Sequence, residues 1–281
     1  LPLRVLRPGC FVGVDFAFFA AGGATSRQFV PQAVAEGAVV IDKSSVYRFD
    51  PEVPLVVPEV NPQALKAHRG LIANPNCSTI QLAVALAPLH REAGLKRLIV
   101  STYQAAAGAG AAALEELYAA TRARLDGLPL TPERFAHDLS FNLIPAIDVF
   151  AADGSTKEEE KMRLETRKIL GLPELPVAVT CVRVPVPVSH SEAVFCEFER
   201  PLSADRARTL WQAAPGLVVQ DEPATQTYPM PAFASGHDEV FVGRTRELRD
   251  FPNALSFFCV SDNLRKGAAL NAVQIAEALI A

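Results

Sequence analysis

The sequence predicts an α/β protein: an open parallel sheet near the N-terminus, an inserted α+β domain, and a C-terminal helix that returns to the sheet. Three observations point there. Short apolar runs alternate with helical spacing over roughly the first 90 residues, the mark of a parallel sheet. From Leu98 onward, long β segments mix with a strongly charged helix. An Ala-rich helix, Lys266 to Ile280, closes the chain.

Val14 to Ala21 is apolar and aromatic and ends at Gly22-Gly23, which reads as a buried strand and its turn. Ser26 to Glu36 has helical spacing at Phe29, Ala33 and Val34, with Thr25 or Ser26 as cap and Gly37 as stop. Ala38 to Asp42 and Leu55 to Val57 are further short apolar runs. Leu71 to Asn74 leads into a helix expected over Thr79 to His90. Ligands of parallel sheets bind beyond the carboxyl ends of the strands. Gly22-Gly23, Asp42 to Ser45 and Asn74 to Cys77 are therefore expected to line one crevice. Leu98 to Gln104 reads as a strand, Ala105 to Ala113 as a lead into a helix through Leu114, Leu117 and Tyr118, and Lys157 to Leu170 as a charged helix. Val177 to Val188, Ala193 to Glu199, Glu239 to Arg246 and Ala254 to Val260 are expected strands with antiparallel pairing, bent or edged at Pro185 and Pro187.

The 281 residues are 49% hydrophobic and 21% charged, which provides for a sizeable core. A net charge of -4 offers no field for nucleic acid or an anionic membrane. No apolar run is long enough to span a bilayer, and no signal peptide is visible. The five cysteines show neither CxxC nor Cys/His ligand spacing, so no metal site and no disulfide framework is expected. A reducing, cytoplasmic setting is expected instead.

Cys77 is the most informative residue. It follows the turn Asn74-Pro75-Asn76 and opens a helix, where the dipole favours a thiolate and first-turn amides can hold an oxyanion. Ser78 and Thr79 offer capping hydroxyls. Cys10, Cys181, Cys196 and Cys259 lie in apolar or strand-like runs and read as small buried hydrophobes. Gln104 ends a strand just before Gly108-Ala109-Gly110; it is either an ordinary strand-end residue or an amide aimed at a reacting group. Arg183 shares the apolar face of Val177, Val179 and Cys181, so it needs a bound carboxylate or an exit to water. His190, if unperturbed, titrates near neutrality and suits acid/base work. Glu158 and Lys161 read from spacing alone as a solvated i, i+3 pair, and Arg48 as a surface residue or an anion site.

As a set these residues resemble a known family. VPLVVPEVNP (Val53 to Pro62), ANPNCSTIQL (Ala73 to Leu82), STYQAAAGAG (Ser101 to Gly110), FNLIPAID (Phe141 to Asp148), ETRKIL (Glu165 to Leu170) and DNLRKGAALNAVQIAE (Asp262 to Glu277) are similar to aspartate-β-semialdehyde dehydrogenases. The resemblance runs nearly end to end. It implies a Rossmann-like nucleotide domain, residues 1–77 completed by 262–281, around a catalytic and dimerisation domain, residues 78–261. No GxxGxxG occurs in the chain, and the family's glycine-rich loop belongs to a first βαβ segment ahead of Leu1, so the nucleotide domain is expected to be N-terminally incomplete.

The resemblance also implies roles. Cys77 matches the nucleophile, His190 the general acid/base, and Gln104 the amide that orients the reacting group. Arg183 matches the residue gripping the substrate carboxylate, with Glu158 near its amine. Arg48, Asn76 and Lys161 match phosphate-binding positions, and Gly22, Gly23, Gly108 and Asn263 match positions around NADP. The implied partners are a small-molecule substrate, inorganic phosphate and a second copy, as a homodimer or dimer of dimers. The implied reaction reduces L-4-aspartyl phosphate to the semialdehyde for lysine, threonine and methionine biosynthesis. The chain departs from the family at Lys43, where Asn is usual, and at Ala107 and Ala146. Related acyl-phosphate reductases differ at the cysteine: N-acetyl-glutamyl-phosphate reductase has Pro-Gly-Cys-Tyr and glyceraldehyde-phosphate dehydrogenase Ser-Cys-Thr-Thr-Asn. The alternative of another class is a non-catalytic partner subunit.

Overall fold

Each of the first three strands is short because a turn former cuts its apolar run. The computed structural model describes residues 5–280. β1 (Phe16–Phe19) leads to α1 (Gly23–Ala35), then β2 (Val39–Asp42) and, after a long connection buried in its middle at residues 53–57, β3 (Leu71–Ala73). These pair in parallel in the order β1-β2-β3. Residues 55–57 form no strand; Pro54 and Pro58 flank them, and a single bridge ties Leu55 to Ala73. Neither Thr25 nor Ser26 caps α1. The helix opens earlier, at Gly23, and Ser26 Oγ instead donates to Asp42 Oδ1 at 2.7 Å. The Asn74 N–H donates to the Asp42 carbonyl at 2.8 Å, which sets the ends of β2 and β3 at one level, as the crevice requires.

α2 (Cys77–Ala93) leaves that level and is buried along most of its length. It runs beneath a second sheet. The chain continues through β4 (Leu95–Gln104), α3 (Ala111–Leu125), α4 (Lys157–Leu170), β5 (Val177–Arg183) and β6 (His190–Phe198). α5 (Ala204–Ala213), β7 (Leu217–Val219), the single turn α6 (Pro231–Ala234), β8 (Val240–Glu247) and β9 (Ala254–Ser261) follow. The strand order is β5-β4-β6-β9-β8-β7. The sheet is mixed: β4–β5 and β7–β8 are parallel, the others antiparallel. The expected strand over 177–188 stops at Arg183, where Pro185 and Pro187 end the pairing.

The inner sheet face, including Leu98, Val100, Val194, Phe198, Leu255 and Phe257, packs on α2. α5 is an element beyond those expected; Ser203 caps it, and Ala204, Ala207 and Trp211 share its buried stripe at helical spacing. Trp211 Nε1–H donates to the Ala85 carbonyl at 2.8 Å, and its ring meets Phe257 edge-on at 5.1 Å. The outer face leaves Ile99 and Tyr103 exposed and Phe195 and Phe258 half-buried. A π-helical segment, Arg265–Ala269, precedes α7 (Leu270–Ile280), in place of the one continuous helix expected. Ala272 and Ile275 pack on Ile41 and Ile72, so α7 does return to the first sheet. All five cysteines are free thiols; Cys181, Cys196 and Cys259 are buried, and Cys10 is only half-buried.

Candidate active site

The turn before Cys77 is built by two helices. Asn76 caps α2: its Oδ1 accepts the Ser78 N–H at 3.0 Å, and Cys77 is the first helical residue. Ser78 and Thr79 hydroxyls are buried without partners, so they do not cap. α4 starts at a reciprocal capping box in which the Thr156 N–H donates to Glu159 Oε2 at 2.7 Å and the Glu159 N–H to Thr156 Oγ1 at 3.3 Å. With its register set, α4 presents Glu158, Met162, Glu165 and Ile169 on its buried face. Two carboxylates then clasp Asn76. Glu158 Oε1 accepts from Asn76 Nδ2 at 2.9 Å, and Glu165 Oε2 accepts from the Asn76 backbone N–H at 2.6 Å. The other Glu165 oxygen holds Arg48 Nη1 at 2.9 Å, while Arg48 Nη2 donates to the Lys43 carbonyl at 2.7 Å. Arg48 is buried, so of its two readings the surface residue falls away.

The second sheet supplies the facing groups. Gln104 pairs with Arg183, Tyr103 with Ser191, and His190 with Ser261. This register sets Arg183, Gln104 and His190 side by side at one end of β5, β4 and β6. Gln104 Nε2 donates to Glu158 Oε1 at 3.4 Å. Lys161 Nζ donates to Glu158 Oε2 at 3.2 Å and to Asp148 Oδ2 at 2.7 Å, so this pair belongs to a network and is not simply solvated. Arg183 does not exit to water: it is 7% exposed, and Nη1 donates to the Ala105 carbonyl at 2.6 Å. His190 is fully buried; Nδ1 accepts the Ala105 N–H at 3.0 Å and Nε2 has no partner. A Cβ on Gly108 would lie 2.9 Å from His190 Cε1 and 3.0 Å from Arg183 Nη1, so only glycine lets this backbone pass. From the opposite side, Gly267 of the π segment presses on α2, where its Cβ would lie 3.0 Å from that of Cys77.

Electrostatics overturns two expectations. Burial pushes the Cys77 thiol up to about 11, and Glu158 adds to the rise; Arg183, Arg48 and the Ser78 N–H offset only part of it. The dipole of one helix end loses to desolvation, so Cys77 rests as a thiol and not a thiolate. Burial, reinforced by Arg183, pushes His190 down to about 3, far from neutrality. Burial also opposes charge on Lys161, but Glu158 and Asp148 outweigh it and raise its pKa. Lys43 is lowered by burial and lies within electrostatic reach of Cys77 and Arg48.

Of the four residues expected around the cofactor, two stand over the first sheet. Gly22, at φ 89, precedes α1; no side chain caps that helix and no acidic residue lies in its first turn. A bare helix N-terminus beyond a strand end fits the anionic part of a dinucleotide. Gly23 lies beside Val46, whose Cγ2 is 3.1 Å from where a Cβ would be. Asp42 is already engaged by Ser26 and Ser44. The other two adjoin His190: Gly108 as described, and Asn263, whose Oδ1 accepts the N–H of Ser189 at 2.9 Å. Ser189 is buried at φ 79, an unfavourable conformation held immediately before His190.

Residues 2–68 match the semialdehyde dehydrogenase NAD binding domain, and residues 86–266 match the semialdehyde dehydrogenase dimerisation domain. The aspartate-semialdehyde dehydrogenase of Aquifex aeolicus is 53% identical over 273 residues, covering 96% of this chain and 80% of that protein. This chain belongs to the aspartate-semialdehyde dehydrogenase family. Within the family, aspartate semialdehyde dehydrogenase II from Vibrio cholerae is similar at 44% identity with a TM-score of 0.94, over 96% of this chain and 81% of that one. The Candida albicans aspartate semialdehyde dehydrogenase solved with NADP is similar at 26% identity and a TM-score of 0.74, over 95% and 77%. The aspartate-semialdehyde dehydrogenases are oxidoreductases, and the first sheet is their Rossmann-like, nicotinamide-cofactor-binding domain. The second sheet lies in their dimerisation domain.

Neither Glu165 nor Gly267 has a role legible in the sequence pattern alone. Glu165 does carry a signal: it occupies a position of the amphipathic α4 whose neighbours in the stripe, Met162 and Ile169, are apolar. A charge in a buried stripe calls for a partner. Gly267 gives no such signal, because its contact is with a helix far away in sequence.

Proposed function

We propose that this chain catalyses the reversible, NADP-dependent conversion of L-4-aspartyl phosphate to L-aspartate 4-semialdehyde and phosphate, serving lysine, threonine and methionine biosynthesis. The observation that supports it is the convergence on Cys77 of Arg183, Arg48 and Glu158, each close enough to shift its thiol. Two cations and one carboxylate suit a substrate carrying a carboxylate, a transferring phosphate and an amine.

In this reading, Cys77 Sγ attacks the aldehyde carbon while its thiol proton passes to the carbonyl oxygen, giving a thiohemiacetal. Arg183 holds the substrate carboxylate with its guanidinium fork and Glu158 its amine. His190 presents Nε2–H to the developing oxyanion, and Gln104 orients the reacting carbon. A nicotinamide held there would supply the hydride acceptor; as the hydride leaves, the hydroxyl proton passes to solvent and Cys77 is left as an acyl thioester. A thioester stays activated, so phosphate held by Arg48, Asn76 and Lys161 can attack it, forming aspartyl phosphate and freeing the sulfur. Gly22, Gly23, Gly108 and Asn263 frame the cofactor. Residues 1–77 with 262–281 form the nucleotide part and 78–261 the catalytic part. A second copy covers the outer sheet face at Ile99, Tyr103, Phe195 and Phe258. The free thiols fit a reducing cytoplasm.

The test is NADP reduction by the purified chain with L-aspartate 4-semialdehyde, with and without phosphate. Phosphate-dependent turnover that is lost in Cys77→Ala supports the reading. Substantial turnover in a folded Cys77→Ala protein removes it.

A further inference from the structure

Glu165 is fully buried, and no part of the reaction above uses it. Each of its oxygens has a different partner. Oε1 accepts from Arg48 Nη1 at 2.9 Å and Oε2 accepts from the backbone N–H of Asn76 at 2.6 Å. One carboxylate thus joins a guanidinium to the residue just before the nucleophile. The same helix holds Arg48 by its backbone as well. Lys168 Nζ donates to the carbonyls of Arg48, Asp50 and Val53 at 2.9, 2.7 and 2.8 Å. Arg48 therefore has Nη1 and Nη2 committed to the protein, while Nε is buried without a partner. Arg48 is thus a buried cation fixed by two protein acceptors, one of them the carboxylate that bridges to the Cys77 turn.

We propose that Glu165 is a positioning residue that locks the anion-binding Arg48 to the turn carrying Cys77, so that phosphate is held in register with the sulfur. The inference rests on the phosphate role given to Arg48 above. Both partners of Glu165 are donors, so the position requires a group that accepts at both ends. A glutamine of the same shape turns an NH2 donor toward one of the two donors and breaks the bridge there. An aspartate keeps both acceptors on a shorter arm.

The test compares wild type with Glu165→Gln in two readouts. One is the inorganic phosphate concentration that half-protects Cys77 from iodoacetamide. The other is the KM for phosphate in turnover. We expect both to rise about tenfold in the glutamine variant, the loss of one hydrogen bond to a charged group. The KM for the semialdehyde should change less than about twofold and melting by only a few degrees, and Glu165→Asp should recover part of the phosphate affinity. In an Arg48→Gln background, Glu165→Gln should raise the half-protecting concentration less than it does in wild type, because part of its effect runs through that arginine. Equal half-protecting concentrations in wild type and variant overturn the proposal, as does wild-type alkylation indifferent to phosphate. A loss shared by kcat, both KM values and melting marks a purely structural residue and also overturns it, as does failure of both variants to fold. Phosphate-independent turnover by wild type overturns the functional reading instead, while the alkylation readout still decides Glu165.

Discussion

His190 Nδ1 accepts the amide proton of Ala105 at 3.0 Å, so the neutral ring carries its proton on Nε2. To accept a proton at Nε2, the ring would have to give up that backbone bond and move its proton to Nδ1. The geometry leaves His190 a donor at Nε2, and burial, which pushes its pKa down to about 3, keeps it neutral over the working range. We expect kcat/KM to show no limb near pH 6.5 that belongs to this residue. A limb there that disappears in His190→Asn would contradict the donor role.

Cys77 gives the complementary expectation. Burial pushes its thiol up to about 11, so in the free protein the thiolate fraction rises with pH throughout the neutral and mildly alkaline range. The rate of alkylation by iodoacetamide should climb about tenfold per pH unit from 7 to 10. A plateau reached by pH 8 would show that the helix dipole and the two arginines outweigh burial after all.

Arg183 offers a planar fork held in place by the Ala105 carbonyl. Arg183→Lys keeps the charge and loses the fork. The KM for the semialdehyde should rise roughly 10- to 100-fold, with a smaller change in kcat. An unchanged KM would take Arg183 out of the carboxylate role.

Gly108 separates packing from flexibility. A methyl there would press on His190 and on Arg183 at once, and neither can retreat from a buried site. Gly108→Ala should lower kcat/KM by about tenfold or more while leaving the circular dichroism spectrum intact. Full activity in the alanine variant would mean that the site adjusts at no cost.

Glu192 is a carboxyl with no cation. It lies on β6 two residues beyond His190, fully buried, with Cys259 Sγ at 3.4 Å from Oε2 and no partner for Oε1. Burial raises its pKa from 4.5 to about 8. The unfolded chain therefore binds fewer protons than the native one between those values, and this group costs stability as pH rises through that window; below it the effect vanishes. Glu192→Gln removes the cost. Its stability relative to wild type should improve by roughly 3 kcal/mol from pH 5 to pH 8, read from denaturant unfolding at each pH. A pH-independent difference would place the Glu192 pKa near its ordinary value.

Local signals carry much of this protein. The apolar runs ending in Gly, Asp or Asn locate the three parallel strands, and the turn signal Asn74-Pro75-Asn76 locates the start of the helix at Cys77. Alternation along Val177, Val179, Cys181 and Arg183 places the arginine on the buried face, where it lies. Such features are legible because they depend on residues a few positions apart.

Only the tertiary structure decided how far each group is removed from water and what stands opposite it. The first fact makes Cys77 a thiol and moves the His190 titration far from neutrality, since desolvation by surrounding chain outweighs a helix end or an intrinsic pKa. The second gave Glu165 its two partners, one 117 residues away and one 89. Sequence determined which chemical groups were available and on which local elements they ride. Long-range packing determined their protonation and their pairing, because both depend on distances that no local pattern encodes.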